Sequence, residues 1–240
     1  MASSSSTVSV FYAHRFRTAH NEHLFDSYAR RRKVIPEVGF NLEDDEYSEI
    51  MEQITLRGWR RLAAPRTDIS KLLVQEFYAN AAMSNEEVAA QEELPYKSFV
   101  RGKEIDFSLK QHKERASWKL SSSQPPVPIQ LRRIELRPLA RGWQEFIIHS
   151  LVPTGNKSEI TTSRAILIQA IMLGEDVRAE EIIAENMVTI AQGLGNKGNL
   201  AHPSTIYKLC KDAGVPLREF ARTPRIPSLS YITAKRMETI

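Results

Sequence analysis

Cysteine is nearly absent from this 240-residue chain, and Cys210 is the only one. No intramolecular disulfide can form, so a disulfide-built secreted domain is excluded, and so is a cysteine-rich zinc site. No apolar run approaches the roughly 18 residues that a membrane helix needs. The first ten residues lack both a basic start and an apolar stretch, so they do not read as a signal peptide. Glu22 and Asp26 come too early for a comfortable plastid transit peptide. Charge of one sign is not in large excess either. The formal balance is +4, far from that of a histone-like protein. These features fit an intracellular protein, cytoplasmic or nuclear, with no membrane partner.

What is present is ordinary globular material, 42% hydrophobic and 26% charged. The charges are unevenly placed. The chain is basic up to Lys33, net acidic from Pro36 to about Leu120, and basic again after that. Such a field steers anionic partners.

The pattern predicts a mainly α fold. Residues 1–10, five of them serine, read as a disordered tail. Residues 11–41 form a basic and aromatic arm, with Phe16, His20, Leu24 and Tyr28 at helical spacing up to Pro36. A helical subdomain over 42–120 follows. Asp44 or Asp45 opens its first helix, and Tyr47, Ile50, Met51 and Ile54 form a buried stripe. Thr67 or Asp68 caps the next, with Ile69, Leu72, Leu73 and Phe77 inside. Residues 86–94 read as an acidic loop. A small hairpin is expected near 99–107 around Gly102-Lys103. Ser121 to Pro128 holds three serines and three prolines and reads as a linker.

A second helical subdomain is expected over 129–220. Its helices are Leu139 to Leu151, one opened by Thr161 or Thr162 and stopped by Gly174, one capped by Asp176, and one with Pro203 in its first turn and Gly214 at its end. Residues 221–240, with Pro224 and Pro227, read as an irregular tail. Two Arg-Gly-Trp triplets, at 57–59 and 141–143, are too short to establish a repeat.

Several blocks, in order, carry a resemblance. They are Arg57-Gly58-Trp59-Arg60-Arg61-Leu62, then Leu73 to Asn80, then Phe99 to Lys103 and Phe107-Ser108. Trp143 to Phe146, Leu151 to Thr154, Ser158 to Ile160, Arg164-Ala165 and Ile171 to Gly174 follow. Leu200 to Pro203 and Leu209-Cys210 through Ala213 to Pro216 close the series. Over roughly Leu42 to Phe220 the chain resembles the family known as the putative plant transposon protein domain. The resemblance implies an origin in plant retroelements. It implies no reaction, no catalytic residue and no cofactor.

Motifs that suggest chemistry fail on context. Gly193 to Gly198 spells GxGxxG, but a helix precedes it and no helix opens directly from it, so it reads as a connecting loop. Asp44-Asp45-Glu46 are adjacent acids at a helix start, whereas two-metal cleavage needs carboxylates converging from distant positions. His14, His20 and His23 lack metal-site spacing. Cys210 sits mid-helix among apolar neighbours and reads as structural. No metal, cofactor or catalytic residue is assigned.

One patch remains. Arg15, Arg17, Arg30, Arg31, Arg32 and Lys33, with Phe11, Tyr12 and Phe16, combine guanidinium groups that pair with phosphate and rings that stack on bases. The expected protein is therefore non-enzymatic, gag-like in role, self-associating and able to hold RNA or DNA. A solvated helix end and a nuclear import signal are the competing readings of the patch. A metal-dependent transposase and a degenerate element are the competing readings of the whole.

Overall fold

The computed structural model describes residues 12–43, 46–83, 96–108, 130–155, 157–196, 198–227 and 231–239. The expected tail 1–10, the acidic loop 86–94, the linker 121–128 and the cap at Asp44 or Asp45 lie outside them. The chain divides into two compact units, each drawn from three stretches. Unit 1 comprises 1–34, 68–108 and 187–226; unit 2 comprises 35–67, 109–186 and 227–240. Neither unit is a single interval of sequence, because residues far apart in the chain supply each core.

In unit 1, Thr18 caps α1 (Ala19–Ser27), its Oγ1 accepting from the Asn21 N–H. The buried face of α1 is Asn21 and Phe25, not the expected His20 and Leu24. Phe16 lies before the helix with its ring 5.2 Å from that of Phe25. A 3-10 turn, Ala29–Arg31, follows. The central helix of the unit (Lys71–Ala81) is buried from Leu73 through Ala81. Ser70 caps it, Oγ accepting from Leu73 N–H at 3.3 Å. The expected cap Asp68 instead meets Arg225 at 3.2 Å.

The hairpin pairs β1 (Lys97–Val100) with β2 (Lys103–Asp106), Val100 opposite Lys103. Its turn is Arg101-Gly102 rather than Gly102-Lys103. Both turn residues have positive φ, 47° and 77°, as a two-residue turn of this hand requires. Ser98 Oγ donates to the Phe77 carbonyl at 2.6 Å and ties the hairpin to the central helix. The helix Pro203–Asp212 begins with proline at N1 and ends at Gly214.

In unit 2, α2 (Ser48–Leu56) buries Ile50 and Ile54, while Met51 of the expected stripe is exposed. Gly58, at φ 68°, ends it. The Gly58 N–H reaches the Thr55 carbonyl and the Trp59 N–H the Ile54 carbonyl, a reciprocal C-cap. A short α3 (Arg60–Ala63) follows. The helix Pro138–Phe146 passes into a π turn, Ile147–Leu151, in which Val152 N–H reaches the Ile147 carbonyl at 2.7 Å. Every residue from Ala140 to Leu151 is buried. The expectation was one regular helix here.

A second small sheet was not expected. β3 (Gln130–Arg132) pairs with β4 (Glu159–Thr161). Thr162–Met172 is the next helix, and Gly174, at φ 76°, ends it as expected. The helix Ala179–Gln192 supplies residues to both units and begins three residues after Asp176, which therefore does not cap it. Within the expected irregular tail, Thr233 caps a short helix, Ala234–Glu238. The two Arg-Gly-Trp triplets fold differently, one as a turn after α2 and one inside a helix, so they do not mark a repeat. Both tryptophan rings nevertheless end beside Phe146, at 6.1 and 5.9 Å.

Candidate nucleic-acid interface

The residues of the basic arm separate into two groups. Arg15 belongs to the core of unit 1. Its Nε donates to Glu76 Oε1 at 2.8 Å. Glu76 is fully buried on the central helix. Arg101 completes the cluster, donating from Nε to Oε2 at 2.8 Å and from Nη2 to Oε1 at 2.9 Å. The Arg101 guanidinium also lies 4.7 Å from the Phe220 ring centroid and bonds Glu219 at 2.8 Å. Such two-pronged pairing locks both side chains. Arg15 is thus committed to a buried carboxylate. Phe16, at 2% exposure, offers no face for stacking. Arg17 is half-buried, and its backbone N–H is held by Asn80 Oδ1 at 2.9 Å.

The second group lies on the surface. Arg30, Arg31 and Lys33 are exposed. Arg30 has a loose partner in Asp26, 3.9 Å away. Arg31 and Lys33 make no ion pair among the described residues. Gln75 holds the Arg30 carbonyl at 2.8 Å and so fixes the backbone beneath these cations. Arg32 turns inward along the surface. Its Nη2 donates to the Leu194 carbonyl at 3.0 Å and its Nη1 to the Gly198 carbonyl at 3.1 Å. Phe11 lies outside the described residues, and Tyr12 is exposed.

The other candidates do not assemble a reaction centre. The Cys210 thiol is buried, and burial, with the Glu76 charge adding to it, pushes its pKa well above the usual thiol range. A thiol so placed stays protonated and is a poor nucleophile. Burial also pushes His202 down to about 3, so it is neutral at ordinary pH. His14 lies 3.3 Å from Glu219, and His20 and His23 are exposed. Asp106 Oδ1 accepts from Ser108. Among the described residues no three potential ligands gather to hold a metal ion.

Unit 2 has its own buried acid, which sequence reasoning missed. Glu145 meets Arg236 Nη2 at 2.6 Å, Arg133 Nε at 3.5 Å and His149 Nε2 at 3.6 Å. Burial alone would push its carboxyl up. His149, Arg236 and Arg133 together outweigh burial and hold it below the usual range. Only the i,i+4 spacing of Glu145 and His149 was a local signal; both arginines come from other segments.

Among the described residues no helix is long and apolar enough to cross a membrane. Neither the curated proteins nor the solved structures contain a match to the chain. A family model, described as "Putative plant retrotransposon-related domain", matches residues 55–216. That is more than half of the chain and covers its hairpin, the buried Glu76 and Glu145 and the Gly193–Gly198 loop, while the basic run precedes it. The chain therefore belongs to the plant retrotransposon-related domain family.

Proposed function

We propose that this retroelement-derived chain is a non-enzymatic, gag-like protein that holds nucleic acid on the surface formed by Arg30, Arg31 and Lys33. The observation that carries the reading is that these three cations are exposed on a firmly held backbone, with Arg31 and Lys33 free of carboxylate partners among the described residues. Phosphate contacts of this kind supply most non-specific affinity. Arg15 and Arg32 take structural roles instead. The carboxylates a nuclease would need are dispersed and engaged, Asp68 with Arg225 and Glu76 with Arg15 and Arg101. Self-association, the other half of a gag-like role, draws support from unit 2. There Leu56 and Leu173 are exposed where Gln53 and Arg57 approach the end of the helix Thr162–Met172.

The test is binding of labelled single-stranded RNA and duplex DNA by anisotropy across a salt series. The control is the variant Arg30→Gln/Arg31→Gln/Lys33→Gln, not a truncation. Removing 1–33 would strip Arg15, Phe16, Phe25 and Ala29 from the core. Binding should weaken with salt, with a log–log slope of about −2 for three contacts to a single strand, and be lost in the variant. No binding at low salt, or equal binding by the variant, defeats the reading.

A further inference from the structure

We infer that a second copy of this chain docks antiparallel on the outer face of the helix Thr162–Met172, about a two-fold axis at Gln169, and that this seam makes the protein a homodimer. The inference rests on the self-association half of the reading above and is independent of its nucleic-acid half. The helix is apolar on both sides. Ile168 and Ile171 are buried in unit 2, while Ile166, Met172 and Leu173 are exposed, Leu173 to 64%. No residue from Ala165 to Leu173 carries a charge. A helix that is apolar all round belongs in an interior. Among the described residues only one side of this helix is covered. On the other, Thr162, Ile166, Gln169 and Leu173 fall at i, i+4, i+7 and i+11, one stripe along the helix, and all four are exposed. That is the spacing of a helix–helix seam.

The stripe fits itself when turned end for end. About Gln169, Ile166 of one copy meets Leu173 of the other and the reverse, as a two-fold interface requires. The amide of Gln169 both donates and accepts, so the two copies satisfy each other at the axis. Charge selects the same partner and the same direction. A helix is positive at its N-terminus and negative at its C-terminus. Here the first turn holds no acid, and Thr161 gives it no side-chain cap. The acids stand at the other end, where Glu175 and Asp176 are exposed just past Leu173. Glu175 makes no ion pair among the described residues. In an antiparallel pair each Glu175 comes to the bare first turn of the other copy, and both mismatches are relieved, twice over by symmetry. A parallel pair would gather the acids at one end. Leu56 widens the seam, because Arg57 Nη2 donates to the Ile171 carbonyl at 3.4 Å and brings that exposed end of α2 alongside.

The test is sedimentation velocity of the full chain up to about 100 µM, where a small apolar seam should give a reversible dimer with a Kd of about 10 µM. Ile166→Glu/Leu173→Glu should stay monomeric throughout, with unchanged circular dichroism. Glu175→Gln, which acts at both ends, should weaken the dimer about threefold. Single cysteines read the direction. Gln169→Cys lies at the axis and should cross-link to its mate on mild oxidation. Thr162→Cys would stand about 20 Å from its mate in an antiparallel pair, beyond the reach of a disulfide, and should not. The native Cys210 is buried and does not compete. Cross-linking at both positions, or at Thr162→Cys alone, overturns the antiparallel seam. A dimer that survives Ile166→Glu/Leu173→Glu overturns the seam and leaves self-association standing. A chain that stays monomeric overturns both. In that monomer a Leu173→Cys thiol that resists labelling assigns the stripe to another part of the same chain.

Discussion

Each unit holds a buried glutamate followed by a buried phenylalanine, Glu76-Phe77 in unit 1 and Glu145-Phe146 in unit 2. A glutamine precedes each pair and holds a backbone carbonyl, Gln75 that of Arg30 and Gln144 that of Lys157. Each glutamate pins a segment near one end of the chain through an arginine, Arg15 or Arg236. The two sites differ in closure. Glu76 is fully buried and receives three hydrogen bonds of 2.8 to 2.9 Å. Glu145 has one close arginine and two partners at 3.5 and 3.6 Å. The comparison separates a carboxylate that locks its unit from one that balances several half-committed cations.

The sharpest break in that comparison is removal of the acids. Glu76→Ala leaves Arg101 without its buried partner and should cost about 3–5 kcal/mol in urea melts. Glu145→Ala frees Arg133 and Arg236, both part-exposed, to turn to water, and should cost about 1–3 kcal/mol. Equal losses would erase the distinction.

Two glycines give the next contrast. A Cβ at Gly39 in unit 2 would collide with the Ala63 carbonyl, which is backbone and cannot swing aside. Gly39→Ala should therefore destabilise by about 2–3 kcal/mol. Gly195→Ala in unit 1 should change stability by less than about 0.5 kcal/mol, as at an open surface position.

Acid should reach the units in sequence. His202, in unit 1, is held down to about 3 from 6.5 by burial. Below pH 6.5 the unfolded chain takes a proton that the folded one refuses. Stability therefore falls by up to about 1.4 kcal/mol per pH unit. Glu145, whose pKa is lowered, contributes stability above its unfolded pKa of about 4.3 and loses it as pH falls through the folded value. Stability measured from pH 7 to 5 should flatten in His202→Asn, a residue that tolerates the positive φ of 52° there. Glu145→Gln should leave that range unchanged and alter only the more acidic one. The smallest effect is expected at Arg31, where Arg31→Gln should leave the melting temperature nearly unchanged while it weakens nucleic-acid binding.

What the sequence disclosed was local. The stops at Gly174 and Gly214 were legible because a C-cap needs only a residue that accepts positive φ and the turn before it. The hairpin was legible from its glycine, although its turn lies one residue earlier. Pairings across the chain were not legible. Nothing in the run around Arg15 names Glu76, 61 residues away, as its partner. Arg32 looked identical to Arg31 until the Leu194 and Gly198 carbonyls were placed beside it. Ser70 rather than Asp68 is the cap because the helix starts only at Lys71, and Asp68, two residues before the cap position, meets Arg225 instead. The six basic residues thus read as one patch in sequence and are two sets in space.

The threading of each unit through three stretches of chain also governs how the protein comes off the ribosome. Unit 1 lacks its third segment until residue 226 has been made, and unit 2 waits for residues beyond 227. Most of the synthesis passes with both cores incomplete and long-range contacts still to be closed, a slow and aggregation-exposed route. A premature stop at almost any codon would therefore leave no folded half behind, so copies of such an element that acquire one lose everything at once.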